Sequence, residues 1–150
     1  SVRLVSSLPS LESPRRLLEV PLGPGGVEDT ARARSRALVA YRRGVELRPS
    51  WPYGVVRLAS ARLEAGVVDA RLDALMQRAH QLGPWRRSVN RELTRLGLAA
   101  WPRLGSNARL RVLEYARRTA TYGDDDVAWL REIAGRAGRR ELIDRLVLRP

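Results

Sequence analysis

Cysteine, lysine and phenylalanine are absent from this 150-residue chain, and histidine and methionine each occur once. Without cysteine, disulfide bonds and thiolate metal sites are excluded, and the redox compartment is undetermined. With a single histidine, a zinc site would depend on carboxylates, and none of these have ligand spacing. No apolar run approaches the ~20 residues that a membrane-spanning helix requires. The sequence therefore predicts no metal, cofactor or catalytic site.

The basic residues of the chain are all arginine. There are 28 of them against 16 acidic residues, which gives a formal net charge of +12. Arginine that replaces lysine throughout is typical of a GC-rich genome, so the charge is weak evidence for function. A basic chain still attracts polyanions such as nucleic acid or anionic polysaccharide.

The length of the chain fits a single domain, which would bury about 68–70% of the surface of its unfolded chain. Residues 1–26 contain four prolines and a Gly-Gly pair, so we expect an irregular N-terminal arm there. Residues 27–150 show helical periodicity and are predicted to form the helical-repeat domain.

Two segments of that domain have similar sequences, Ala37–Tyr53 and Leu72–Arg87. Each has apolar or small residues at positions 0, 4 and 7 of a helical run, which share one face. Each then continues with Leu-x-Pro and a tryptophan. Pro49 and Pro84 are 35 residues apart (84 − 49), close to the 34-residue tetratricopeptide period. The pattern resembles the second helix of that repeat.

Proline, glycine and capping residues divide the domain into about seven helices joined by short turns. No segment shows a sustained period of two, so no sheet is expected. Short turns make neighbouring helices antiparallel, which predicts an all-α fold of tetratricopeptide-like stacked hairpins, an α-solenoid. The predicted helices span residues 27–47, 52–65, 70–82, 85–101, 106–121 and 124–137, with a final helix around 142–146.

The apolar stripes of these helices predict which side chains are buried. The large or central side chains of the stripes should make most of the packing contacts. We expect burial of Tyr41, Leu58, Leu72, Met76, Ala79, Trp85, Leu93 and Trp101, and an inward position for Leu110 in the helix 106–121.

Two features of the sequence are candidate sites of chemistry. His80 lies near the end of a helix beside an apolar stripe, so it is interpreted as a partly exposed helix residue. Asp124, Asp125 and Asp126 follow a glycine and precede an apolar stripe, where helix caps and acids that complement the helix dipole belong. Both interpretations favour a protein that is not an enzyme.

The remaining candidates are aromatic and arginine side chains. Trp51 and Tyr53 lie in a turn beside Arg48, where they form a partly exposed patch or a wedge between hairpins. Arginine rows at helical spacing are either solvated faces or a polyanion-binding footprint, and the rows comprise Arg87, Arg91 and Arg95, with Arg32, Arg36 and Arg43. The predicted partner-binding residues are Trp51, Tyr53, Arg57, Arg62, Arg87, Arg91 and Arg95.

Three motifs in this chain resemble the VpsP-type proteins encoded in bacterial exopolysaccharide gene clusters. They are ELRPSWPY at Glu46–Tyr53, QRAHQLGPW at Gln77–Trp85 and GLAAW at Gly97–Trp101. The resemblance covers about half of the chain. Arg86-Arg87 departs from it, because an acidic residue and a proline are expected there. The matching residues are Leu47, Pro49, Trp51, Pro52, Tyr53, Leu58, Ala59, Gly66, Asp69, Leu82, Gly83, Pro84, Trp85, Val89, Gly97, Leu98 and Trp101.

The resemblance implies a non-enzymatic scaffold or adaptor that binds a protein or peptide of the polysaccharide-synthesis or export machinery. It also implies a periplasmic location, in which an anchor preceding Ser1 holds the protein at the membrane; a cytoplasmic location is the alternative. Weak binding of anionic polysaccharide and no specific binding of nucleic acid are expected. The rival function is a basic nucleic-acid- or polyanion-binding helical domain.

Overall fold

The computed structural model describes residues 26–149, and the predicted arm at 1–26 lies almost wholly outside this range. Most of the described residues are helical and none is in a strand, so the all-α prediction is confirmed. A 3-10 turn, Trp101–Arg103, follows the fourth helix, and a π-type turn, Asp144–Leu148, follows the seventh. The helices are α1 Gly26–Leu47, α2 Pro52–Glu64, α3 Ala70–Leu82, α4 Arg87–Ala100, α5 Ser106–Ala120, α6 Asp124–Arg136 and α7 Arg140–Ile143.

The helix ends follow from local chemistry. Pro52 occupies the first turn of α2, where its missing N–H costs nothing. Gly66 ends the same helix with φ 77°, a conformation that side chains other than glycine rarely adopt. The Asp69 carboxylate caps α3 by accepting hydrogen bonds from the N–H groups of Arg71 and Leu72. These ends agree with the predicted ones to within about a residue.

The helices pack in a repeating order. Each of α1 to α6 contacts the next helix in the chain, and α2 also contacts α4, as α4 contacts α6. Contacts between alternate helices are what successive hairpins make when they pack side by side. The superhelical form of an α-solenoid stays a prediction.

One hydrophobic core runs through α2 to α7. Each of these helices contributes at least one side chain that is almost fully buried, because its apolar stripe faces its neighbours. No helix within residues 26–149 combines the length and apolar character needed to cross a membrane. Representative core residues are Val55, Leu72, Leu93, Val112, Leu130 and Ile143.

A glycine brings α4 and α5 close together at the centre of this core. A Cβ placed on Gly97 would lie only 2.6 Å from Cγ1 of Val112, and closer still to Cγ2. Only a residue without a side chain fits there, so the Val112 side chain occupies the space above the α4 backbone.

Most of the predicted core is confirmed, and the buried members are Leu58, Leu72, Met76, Ala79, Leu93 and Trp101. The prediction for Trp85 is wrong, since its side chain is 78% exposed. The reason is that α4 begins at Arg87 and leaves Trp85 in the preceding turn, outside the helical phase of the apolar stripe. Leu110 is also exposed, because α5 presents Val112 and Ala116 to the core instead. Tyr41 is half-buried.

Candidate functional site

The turn between α1 and α2 and the first turn of α2 place an aromatic pair among arginines. Trp51 precedes the first residue of α2, and its ring meets that of Tyr53 edge-on with centroids 5.9 Å apart. The guanidinium of Arg48 lies 4.9 Å from the Trp51 ring centroid, and that of Arg57 lies 5.4 Å from it. At these distances a cation is attracted to the ring face.

Tyr53 extends this cluster from α2 to the start of α4. Its hydroxyl shares a hydrogen bond of 2.7 Å with Ser88 Oγ, and the Arg86 guanidinium lies 5.8 Å from its ring centroid. The hydrogen bond with Ser88 lowers the pKa of the Tyr53 phenol; burial opposes this effect and Arg86 adds to it. An open pocket of about 430 Å³ lies beside Tyr53, Arg86 and Arg91.

These side chains define a surface that spans two successive hairpins. We call it the aromatic–arginine surface; it consists of Arg48, Trp51, Tyr53, Arg57 and Arg86. Within residues 28–149, its three arginines form no ion pair with a carboxylate. The positive charge there is therefore not neutralised by the described part of the chain.

The predicted row on α4 has a different environment. Arg87 Nε donates a 2.8 Å hydrogen bond to Asp126 Oδ1, and Arg91 lies 3.6 Å from the same oxygen. Arg95 pairs with Glu92 one turn earlier at 2.8 Å. All three arginines are thus held by carboxylates, which reduces the charge that they offer to a polyanion.

The acidic cluster at the start of α6 contributes one residue to this arrangement. Asp126 is 1% exposed and accepts the hydrogen bond from Arg87, so it fastens α6 to α4. Gly123 is the residue that precedes α6 and no side chain caps this helix, so the predicted capping role of the aspartates is wrong. Asp124 and Asp125 are exposed in the first turn, where they complement the helix dipole as predicted.

Arg62, a predicted partner-binding residue, is buried and pairs with a carboxylate of the chain. Its guanidinium is buried at the end of α2 and donates to both carboxylate oxygens of Asp69, at 3.0 and 3.2 Å. Since Asp69 also caps α3, the pair joins two helices. A partner would have to break this contact to reach Arg62, so we assign it a structural role.

The second predicted row lies on α1. Arg36 and Arg43 are exposed without an ion pair among the described residues, whereas Arg32 pairs loosely with Glu28 at 3.8 Å. No aromatic ring of the described chain lies under these guanidinium groups. They therefore form a solvated face. Unlike the arginines around Trp51, they have no contact with an aromatic ring of the described chain that would restrain them.

The loop before α4 is held by polar groups that sequence reasoning missed. Asn90 is fully buried and donates hydrogen bonds to Pro84 O and to the Tyr122 hydroxyl. That hydroxyl in turn donates to Trp85 O at 2.7 Å. The Arg118 guanidinium lies 4.7 Å from the centroid of the exposed Trp85 ring. These contacts fix the loop that carries Arg86.

His80 lies between helices rather than at an open site. Its ring is 5.0 Å from that of Tyr115, tilted by 47°. Desolvation lowers the pKa of its imidazole below 6.5, Arg118 lowers it further, and Glu114 and Asn90 oppose the change. Across the described residues, no three His, Cys, Asp or Glu side chains are grouped to hold a metal ion.

His80 should make the protein less stable in mild acid. Because its folded-state pKa is lowered, the unfolded chain binds a proton more readily. Its contribution to the free energy of unfolding is fully present above pH 6.5 and decreases as the pH falls through 6.5 toward the folded-state pKa. NMR titration of this single imidazole should give a pKa below 6.5.

The matched control for this prediction is His80→Gln, which keeps every carboxylate. The difference in unfolding free energy between the two proteins should change between neutral pH and about pH 5, because only one contains the imidazole. A folded-state pKa at or above 6.5 would contradict the buried environment of His80.

A second open pocket lies at the other end of the helices, with a volume of about 520 Å³. Asp73 and Arg111 line it and pair with each other, and Arg103 donates to Gly66 O at 3.1 Å. Its charges are thus satisfied within the chain, and it is not assigned a function.

Comparison with known proteins identifies no family for this chain. No protein-family model, no curated protein and no solved structure matches it. The resemblance to VpsP-type proteins therefore stays a prediction.

Proposed function

We propose that this protein is a non-enzymatic adaptor that binds a protein or peptide partner through the aromatic–arginine surface. The observation that carries the proposal is the clustering of Trp51 and Tyr53 with three arginines that form no ion pair within residues 28–149. Tryptophan, tyrosine and arginine are the residues enriched at the energetic centres of protein interfaces.

The sequence resemblance supplies the biological setting of this proposal. The resemblance implies a partner in the machinery of bacterial exopolysaccharide synthesis or export and a periplasmic location for the protein. The surroundings of His80 support a non-enzymatic role, because its ring packs against Tyr115 and Nδ1 has no hydrogen-bond partner. A general base needs a reachable proton and an orienting group.

Binding of nucleic acid or another polyanion is the second candidate, favoured by the unpaired arginines of the aromatic–arginine surface. The row on α4 supports it less, since Arg87, Arg91 and Arg95 each contact a carboxylate. Base stacking requires an open aromatic face, and Trp51 already has two guanidinium groups over its ring. Protein binding is therefore the proposal that we prefer.

The test is co-purification from the native host with tagged full-length protein. Replacing Trp51 and Tyr53 together by alanine removes the centre of the surface, so recovery of polysaccharide-synthesis membrane proteins should fall by about tenfold or more. Asp125→Ala and His80→Ala are the controls and should leave recovery unchanged. Unchanged recovery with the double variant would contradict the assignment of the aromatic–arginine surface as the binding site. Recovery of nucleic acid in place of these proteins would favour the polyanion alternative.

A further inference from the structure

Three guanidinium groups of this protein are restrained but retain free hydrogen-bond donors. Arg48 and Arg57 lie over the ring of Trp51, and Arg86 lies over that of Tyr53. None of the three forms an ion pair with the described residues 28–149. They are thus charged groups whose positions are set by an aromatic ring.

Other arginines that lie over tryptophans differ from these three. Arg91 lies 4.3 Å from the Trp129 ring centroid, but it also neighbours the buried carboxylate of Asp126. Arg109 lies over Trp101, and its Nε donates to the carbonyl oxygen of that residue. Arg118, over Trp85, donates to Pro84 O and pairs with Glu114. The charge or donors of these arginines are engaged within the fold, which distinguishes them, among the described residues, from the group around Trp51 and Tyr53.

A guanidinium held near a ring by a cation–π contact can still bind an anion. It has five N–H donors in its plane, and the attraction of its charge to the ring does not require them as hydrogen-bond donors. A carboxylate accepts two of these donors side by side, in the same plane. A side chain restrained by this contact has also lost some rotamer freedom before the ligand arrives, which reduces the entropic cost of binding.

We infer that the aromatic–arginine surface binds an acidic segment of the partner, in which two or more carboxylate side chains pair with Arg48, Arg57 and Arg86. This inference rests on the proposed function and adds the chemical class of the segment that is recognised. Trp51 and Tyr53 act as supports that hold the guanidinium groups in place.

The spacing of the arginines fits a short extended segment. Arg48 and Arg57 both lie within 5.4 Å of one ring centroid, so their Cζ atoms are at most about 10 Å apart. In an extended peptide, side chains two residues apart are about 7 Å apart on the same face. Acidic residues that alternate with small ones can therefore reach both guanidinium groups.

The surrounding charges favour a peptide over a nucleic acid. A nucleic acid requires a continuous basic track along its phosphates. Here the adjoining α4 row is interrupted by Asp126 and Glu92, which pair with its arginines. The charges of Arg48, Arg57 and Arg86 lie in one patch across two hairpins, which suits a few carboxylates.

The experiment measures binding of a fluorescent peptide of alternating glutamate and glycine to the full chain by anisotropy. Replacing Arg48 and Arg57 together by glutamine should weaken binding at least about fivefold, because two ion pairs are lost. Trp51→Ala should also weaken it, since both guanidinium groups lose their support. The same peptide with glutamine in place of glutamate should not bind.

The matched control removes the same charge elsewhere. Arg71 and Arg78 are exposed on α3 and form no ion pair with the described chain, so their double replacement by glutamine keeps the net charge equal to that of the test variant. This control should bind the peptide as the unmodified protein does. Equal weakening by both double variants would show that net charge alone drives binding, and would overturn the inference.

Further outcomes separate this inference from the proposed function. Suppose that Arg48→Gln with Arg57→Gln leaves peptide binding unchanged, while loss of Trp51 and Tyr53 still abolishes partner recovery. The inference of an acidic ligand is then contradicted, and the proposed partner-binding function is not. If neither pair of substitutions has an effect, both the inference of an acidic ligand and the proposed function are contradicted. Tighter binding of short single-stranded DNA than of the glutamate peptide would favour the polyanion alternative instead.

Discussion

Trp101→Ala should lower the free energy of unfolding by about 3–5 kcal/mol, the range for removing a large aromatic from a core. The side chain is 7% exposed and belongs to the core that joins α4 to its neighbours. Its ring also supports the Arg109 guanidinium, 5.2 Å from the centroid. Truncation would leave a cavity below that arginine. Urea denaturation followed by circular dichroism measures the loss.

Trp85→Ala is the matched control for this variant. It makes the same chemical change at a side chain that is 78% exposed, so the cost should be below about 1 kcal/mol. The comparison separates burial from the general effect of losing a tryptophan. A melting temperature of Trp101→Ala that equals that of the unmodified protein would mean that Trp101 is not in the core.

Gly97→Ala should destabilise the protein by about 1–3 kcal/mol or more, although alanine is the better helix former. The new methyl group would overlap the Val112 side chain, 2.6 Å from Cγ1, so α4 and α5 would have to separate. Since these helices form the centre of the molecule, the change would disturb contacts on both sides. Thermal unfolding reports it as a lower melting temperature.

Two further variants make this result specific. Gly135→Ala adds the same methyl group on α6 where no atom lies within 4 Å, so it should be neutral or stabilise by up to about 1 kcal/mol. Combining Gly97→Ala with Val112→Ala opens room for the methyl group, so the double variant should cost less than the sum of the two single changes. Strict additivity would exclude the proposed overlap.

Helix boundaries were predictable because they depend on neighbouring residues. Proline at position 52, glycine at 66 and aspartate at 69 each act through their own backbone conformation or a hydrogen bond two or three residues away. The burial of stripe residues such as Leu93 followed from the same local periodicity. Most helix boundaries and most of the buried residues could therefore be predicted from local sequence patterns.

The errors arose where distant contacts override local patterns. Trp85 continues an apolar stripe in sequence, yet the side chains of Asn90 and Tyr122 donate hydrogen bonds to the carbonyl oxygens of its loop and leave the indole outside. Asn90 itself is a polar residue in a helix, which local rules place at the surface. Its burial depends on partners up to 32 residues away.

The candidate site was predicted in part. Trp51, Tyr53 and Arg57 do lie together, whereas Arg62 turned inward because Asp69 offers it two acceptor oxygens. Arg86 and Ser88 were missed as neighbours of Tyr53. A signal for them existed, because Ser88 follows Tyr53 by 35 residues, the repeat offset at which corresponding positions become adjacent.

The hydrogen bond between Tyr53 and Ser88 has a mechanical consequence, because it crosses the joint between one hairpin and the next. Bending the array at this joint would change the distance between Arg57 on α2 and Arg86 at the start of α4. A ligand that paired with both arginines would therefore favour one angle between the two hairpins.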